Sequence, residues 1–177
     1  MTPEQKLELE LKVAEPQFAG PPRMPEDRVA EILNTPDPQL PPVLTKITGR
    51  ELAEVPAWTG ELGLLRIVAK TGIVPASRHP SGFATPVPED GAVAIETLLD
   101  AVERNLTLDL LQPVPEGAPT PVVLLTGMLT GIEAMGLLSA GTKAAIMART
   151  TKLQSWAESK EIGFVTARMV GLARGDE

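Results

Sequence analysis

Apolar positions recur at intervals of three and four in most of the stretches that proline leaves uninterrupted, which predicts packed helices rather than sheet. The clearest case is Ala92, Ile95, Leu98, Leu99, Val102 and Leu106, with Glu96, Asp100, Glu103 and Arg104 on the other side. Upstream, Leu62, Leu65 and Val68, with Leu64 and Ile67 beside them, predict a helix over Trp58 to Lys70 that Gly72 terminates. Val122 to Leu138 is apolar on all sides apart from Glu133 and a few hydroxyl or small residues, the pattern of a central buried helix or of a membrane span. Ser139 stands where a cap for a helix over Ala140 to Arg149 is needed, and two short helices follow, Gln154 to Lys160 and Thr166 to Arg174, the second buried through Met169, Val170 and Ala173.

The N-terminal part is patterned by capping signals. Thr2 precedes Pro3, Glu4 and Gln5, so a helix is expected to about Ala14, stopped by Pro16. A second begins near Pro25, where Glu26 and Asp27 complement the helix dipole; it is expected to bury Val29, Ile32 and Leu33 and to end at Asn34 and Pro36. Thr48 three residues before Glu51 is a capping box opening a short helix to about Val55, with Pro56 as its stop.

Eighteen prolines punctuate the chain, and twelve of them cluster at Thr35–Pro42, around Ile73–Gly91 and at Pro113–Pro121, which predicts loops there. Ile73 to Asp90 reads as irregular and is long for a compact loop. The expected fold is mainly α, a small helical bundle with Pro-rich loops and an N-terminal helical arm. Its expected segments are 1–42 (arm and linker), 43–90 (short helices and the long loop) and 91–177 (C-terminal bundle).

Composition agrees with the pattern and narrows the chemistry. Aromatic residues make up 3% of the chain and Tyr is absent, so the core is left to Leu, Val, Ile, Ala and Met. The net charge of −7 opposes generic binding to phosphate backbones or anionic membranes. Without cysteine there is no disulfide, thiolate metal site or cysteine nucleophile. The first residues lack the basic and apolar run of a secretion signal, so synthesis in a cytoplasm is expected. Charge is uneven along the chain: residues 1–34 hold four basic and seven acidic side chains, residues 141–174 six basic and two acidic. That complementarity suits solvated faces, an intramolecular match or head-to-tail contact between subunits.

Candidate sites fail on count or order. The one histidine, His79, lies in a Pro-containing stretch with Ser77 and Ser81, too close in sequence for a nucleophile–base pair of ordinary geometry. Gly136 to Lys143 resembles a phosphate loop, but Thr142 precedes Lys143 and the upstream segment is helical, so a helix–turn–helix corner capped by Ser139 accounts for it. Gly127-Met128-Leu129-Thr130-Gly131 is a GxxxG that would mark a helix-pairing face in a membrane, yet the run carries Glu133 and has no aromatic belt, so burial in protein is expected. Lys143, Arg149, Lys152, Lys160, Arg168 and Arg174 are spread over several elements with little aromatic interleaving, which reads as solvated surface rather than a nucleic-acid face. No catalytic, cofactor-binding or metal-binding residue is assigned. Trp58 and Trp156 are candidate interface anchors, core packing being the other use of each.

Three segments in order resemble a group of proteins encoded in the structural-gene regions of tailed bacteriophages. They are Gln17-Phe18-Ala19-Gly20 with Asp27 to Asn34; Ile47-Thr48-Gly49-Arg50-Glu51-Leu52; and Ser155-Trp156-Ala157-Glu158 leading through Ile162-Gly163-Phe164-Val165-Thr166 to Ala173-Arg174. With the Met135 to Arg149 hairpin the resemblance spans most of the chain; the central Pro-rich section and Trp156, where the family has Arg, depart from it. The resemblance implies a non-enzymatic virion protein of the tail or tail-fibre region, made in the host cytoplasm, whose partners are other virion proteins and further copies of itself. No cofactor, nucleic acid, membrane or small-molecule substrate is expected. An assembly chaperone or regulatory binding protein not retained in the virion is the alternative. A lysis-machinery membrane protein rests only on Val122 to Leu138, and a cell-wall hydrolase only on unassignable carboxylates.

Overall fold

Thr2 accepts from the Gln5 backbone N–H while the Gln5 side chain accepts from the Thr2 N–H, and this reciprocal cap opens the first helix of the computed structural model, which describes residues 1–175. The chain is mainly α, with ten helices among the described residues. These are α1 (Pro3–Val13), α2 (Pro16–Ala19), α3 (Glu26–Asn34), α4 (Gly49–Trp58), α5 (Glu61–Thr71), α6 (Glu89–Glu103), α7 (Pro121–Ala134), α8 (Ala140–Ala148), α9 (Trp156–Ser159) and α10 (Ala167–Ala173). Six two-residue strands interrupt them: β1 (Val43–Leu44), β2 (Ile47–Thr48), β3 (Ile73–Val74), β4 (Thr85–Pro86), β5 (Thr107–Leu108) and β6 (Thr151–Lys152).

The chain forms two units, one from residues 1–43 together with the segment from Leu153 onward, the other from Leu44–Lys152. The expected break after 42 lies within one residue of a unit boundary, whereas the expected break after 90 lies inside the second unit. Proline clusters mark where helices stop, whereas a unit is defined by which apolar faces cover one another. The N-terminal helical segment is therefore no detached arm: Leu9 and Val13 of α1, Phe18 of α2, and Val29, Ala30 and Leu33 of α3 share a core with Ala157, Val165 and Val170. The last two residues of the expected 91–177 segment lie outside the described ones. On α3 the buried residues are Val29, Ala30 and Leu33; Ile32, expected inside, is 37% exposed.

Polar groups lock this unit. The Asn34 side-chain amide donates to the Val165 carbonyl at 2.7 Å and accepts from the Val165 N–H at 2.9 Å, replacing strand pairing with a side-chain mimic of it. The Arg174 guanidinium, 6% exposed, donates to the Phe18 and Met24 carbonyls at 2.7 and 2.8 Å and pairs with Glu26 at 3.2 Å. Lys160 pairs with Glu8 at 2.9 Å. Two ion pairs thus match the acidic beginning of the chain to its basic end within one molecule.

The second unit is built around Leu52, Leu65, Ile95, Leu98, Leu125, Leu129, Ile132, Leu137 and Ile146. Its α4 starts at the expected capping box, Thr48 to Glu51. Pro56 does not end α4 but sits in its last turn; the buried ring offsets the hydrogen bond its missing N–H would have made. Two left-handed glycines, Gly60 and Gly72, bound α5. Antiparallel β2 and β5 pair Ile47 with Leu108, and β3 and β4 pair Val74 with Thr85, so the stretch expected to be irregular is closed at its base by a ladder.

Backbone proximity imposes two glycines in this unit. A Cβ on Gly49 would lie 2.0 Å from the Ala101 carbonyl oxygen, and one on Gly136, whose φ is +74°, 2.0 Å from that of Arg78. The first seats α4 on α6 and the second fastens the Pro75 to Gly82 loop onto the turn between α7 and α8. Neither obstructing atom is a side chain that can move aside. Gly49→Ala is expected to destabilise this unit by roughly 2–4 kcal/mol, with Gly63→Ala, whose Cβ meets nothing within 4 Å, as the neutral or stabilising control. Thermal melts of the two variants check this, and equal melting temperatures would refute it.

Candidate functional site

The second unit holds one acidic side chain away from water, and its surroundings decide whether it is chemistry or architecture. Glu61, 5% exposed at the start of α5, accepts from the Ser139 backbone N–H at 2.9 Å and from the Thr59 hydroxyl at 2.9 Å. Ser139 caps α8, its hydroxyl accepting from the Thr142 N–H, so the Glu61 carboxylate sits at the positive end of that helix. Burial is the largest single influence on Glu61 and pushes its pKa up; hydrogen bonds from Thr142, Thr59 and Ser139 together outweigh it and hold the group below its usual value. A carboxylate so satisfied is an anchor between α5 and α8. Sequence reading passed over it because Glu61 looks like an ordinary first-turn acid, and only the fold reveals the α8 N-terminus above it.

His79 Nδ1 meets Ser81 Oγ at 2.6 Å in a local turn on the surface. Gly136 to Lys143 is the corner between α7 and α8, with Ser139 as cap. Among the described residues no group of three or more His, Cys, Asp or Glu is placed to hold a metal ion, and no helix is long and apolar enough to cross a membrane. Of the basic residues, Lys143 pairs with Glu133 at 2.7 Å and Arg149 with Glu54 at 2.7 Å, in addition to the pairs of Lys160 and Arg174. Trp58 is 86% exposed at the end of α4. Trp156 is half-buried against the core of its own unit, with the Lys12 ammonium 5.9 Å from its ring centre.

The expectation of a fully buried helix over Val122 to Leu138 is corrected. Helix α7 ends at Ala134 and has two faces: Leu125, Leu129 and Ile132 point into the core, while Val123, Leu124, Gly127, Thr130, Gly131 and Ala134 are exposed. A hydrophobic count cannot separate the two, because the outer face is as free of charge as the inner one. Between this outer face and α6 runs an open groove of about 560 Å³, lined among others by Asp90, Val93, Ala94, Met128 and Met135. Gly127 and Gly131 contribute bare backbone to it: a Cβ on either would meet nothing within 4 Å. Val93, Val123 and Leu124 are each more than half exposed along it. A mostly apolar groove with exposed aliphatic edges loses free energy to water at roughly 25 cal/mol per Å² and recovers it when covered. On the other unit, a groove of about 550 Å³ between α3 and the segment leading into α10 carries Phe164, 76% exposed. Both are surfaces with exposed apolar side chains that a partner could cover.

No protein-family model, characterised protein or solved structure matches this chain.

Because the folded pKa of Glu61 lies below its usual 4.5, the stability this carboxylate adds is complete above that value and lost as pH falls through the folded one. Glu61→Gln is expected to lower stability at pH 7 by about 1–2 kcal/mol. The gap to the parent chain should narrow as the pH is taken down toward 3. Denaturant titrations across that range check it, and a gap independent of pH would show that the carboxylate is not the anchor.

Proposed function

We propose that this chain is a non-enzymatic structural subunit of a tailed-bacteriophage virion, associated with the tail or tail-fibre region and acting through protein–protein contacts. The observation that carries this reading is the exposed, uncharged outer face of α7 and the groove beside it, a surface that water leaves unsatisfied and a neighbouring protein can cover. The three segments that resemble phage structural-region proteins support it. Their residues serve folding: the Arg174 side chain bonds the Phe18 carbonyl, the Asn34 side chain bonds the Val165 backbone, and Thr48, Gly49 and Glu51 start α4 against α6. Such motif residues are what a scaffold that presents surfaces requires, with no reacting group among them.

Exposed Trp58 is the anchor this reading assigns to the second unit, since a large flat side chain in solvent loses most by staying wet. Trp156, the other candidate anchor, is half-buried against the core of the first unit. Contacts with further copies of the chain belong to the same proposal.

Mass spectrometry of gradient-purified particles, set against the infected-cell lysate, tests the reading. The chain is expected in intact particles at a stoichiometry comparable to other tail components. Its presence in lysate with absence from particles would overturn the virion reading in favour of an assembly chaperone.

A further inference from the structure

The groove between α6 and α7 tapers along its length. Where α7 begins, its lining is the exposed pair Val123 and Leu124; toward the end of the helix the lining shrinks to Gly127, Gly131 and Ala134. A Cβ on Gly127 or Gly131 would meet nothing within 4 Å, so bare backbone lies open there. Among the described residues that line the groove, Asp90 alone is charged. It sits at the small-residue end, because a Cβ on its neighbour Gly91 would come 2.9 Å from Sδ of Met135, the residue that closes α7. At the bulky end the start of α7 is left bare: its N-cap Thr120 makes no side-chain capping bond, Pro121 follows, and the first turn holds no acidic residue. The positive end of that helix dipole has no anion from its own first turn.

We propose that this groove is the contact between two copies of the chain, related by a two-fold axis with their α7 helices antiparallel. The inference rests on the reading of this face as a contact surface and names the chain itself as the partner. A two-fold contact lays one surface on itself, so every feature must find its complement on the same patch. Reversing α7 on its copy supplies two such matches. With Gly127 set against Gly131 of the other copy, Leu124 falls opposite Ala134 and Val123 opposite Met135, so bulky side chains enter where bare backbone and a small side chain leave room. The same reversal carries Asp90 of each copy to the bare start of the other's α7, an anion to the positive end of a helix. A parallel pair would instead set Leu124 on Leu124, open backbone on open backbone and Asp90 beside Asp90. The other lining residues are uncharged and bring no like-charge repulsion to the contact.

Light scattering on the whole purified protein, run as a concentration series, tests this. The parent chain is expected at twice its monomer mass when concentrated and at its monomer mass on dilution. Leu124→Lys and Ala134→Glu, both at exposed positions, should each raise the dissociation constant about tenfold or more, since each sets an unpaired charge in an apolar contact. Combined in one chain they should bring it back to within about threefold of the parent, because the introduced charges then meet as opposite signs. Asp90→Lys, which turns a like charge toward the helix start, should raise it about threefold or more. Should a charged variant misfold, cross-linking decides instead. The chain has no cysteine, so Leu124→Cys with Ala134→Cys in one chain should yield a disulfide-linked dimer on mild oxidation, whereas Leu124→Cys alone should not. A monomer throughout a series reaching about 1 mM, a dimer that none of these substitutions weakens, a combined variant as dissociated as the single ones, or ready cross-linking of Leu124→Cys alone overturns the proposal. None of these outcomes depends on whether the chain is found in particles, so the pairing and the virion reading fail separately.

Discussion

Asn34 and Val165 stand 131 positions apart, and the two hydrogen bonds between the Asn34 amide and the Val165 backbone are what the organisation of this chain turns on. A side-chain amide that both donates and accepts satisfies one N–H and one C=O at once, so the segment leading into α10 needs no strand partner where it crosses the end of α3. With that segment held, Val165 and Val170 complete a core that α1, α2 and α3 cannot close alone, and Arg174 reaches the Phe18 and Met24 carbonyls. Helices of nine to eleven residues are marginal by themselves. Their stability is a property of the closed unit, and the closure joins the two ends of the described chain while the residues between 43 and 153 form a unit of their own.

The second unit solves its packing mainly through backbone proximity and one buried charge. Gly49 and Gly136 bring main chain against main chain, and Glu61 supplies the anion that the start of α8 calls for. Each removes a degree of freedom without consuming apolar side chain, which leaves α7 with more hydrophobic surface than the core takes up. The surplus faces outward beside α6. A buried acid, a tight turn and an exposed uncharged helix face are thereby linked: the first two position α7 and α8, and the third is what the scaffold presents.

Local signals were the legible part. Thr2, Thr48 and Ser139 each announce a cap with a short-range mechanism, and each caps the helix it precedes. Gly72 ends α5 in the left-handed conformation that glycine allows, as expected, whereas Gly60, placed inside a helix expected from Trp58, turns the chain between α4 and α5. What could not be read was anything decided by partners distant in sequence. Asn34 looked like a helix stop because its partner lies beyond position 160, and Glu61 like a first-turn acid because the α8 terminus it serves lies near position 139. The two faces of α7 are chemically alike, so periodicity placed it in the interior when only half of it is there. Pro56 misled in the opposite sense, since burial can offset a missing hydrogen bond in a last turn.

If closure by Asn34 governs the first unit, removing its amide should be felt by every helix of that unit and by few residues elsewhere. Hydrogen exchange of the Asn34→Ala variant measures this directly, amide by amide. The expected result is a joint loss of protection in α1, α3 and α10 with protection in α5, α6 and α7 retained. Loss confined to the amide of Val165 would contradict the account, for it would mean that the first unit does not depend on the bond that joins its two segments.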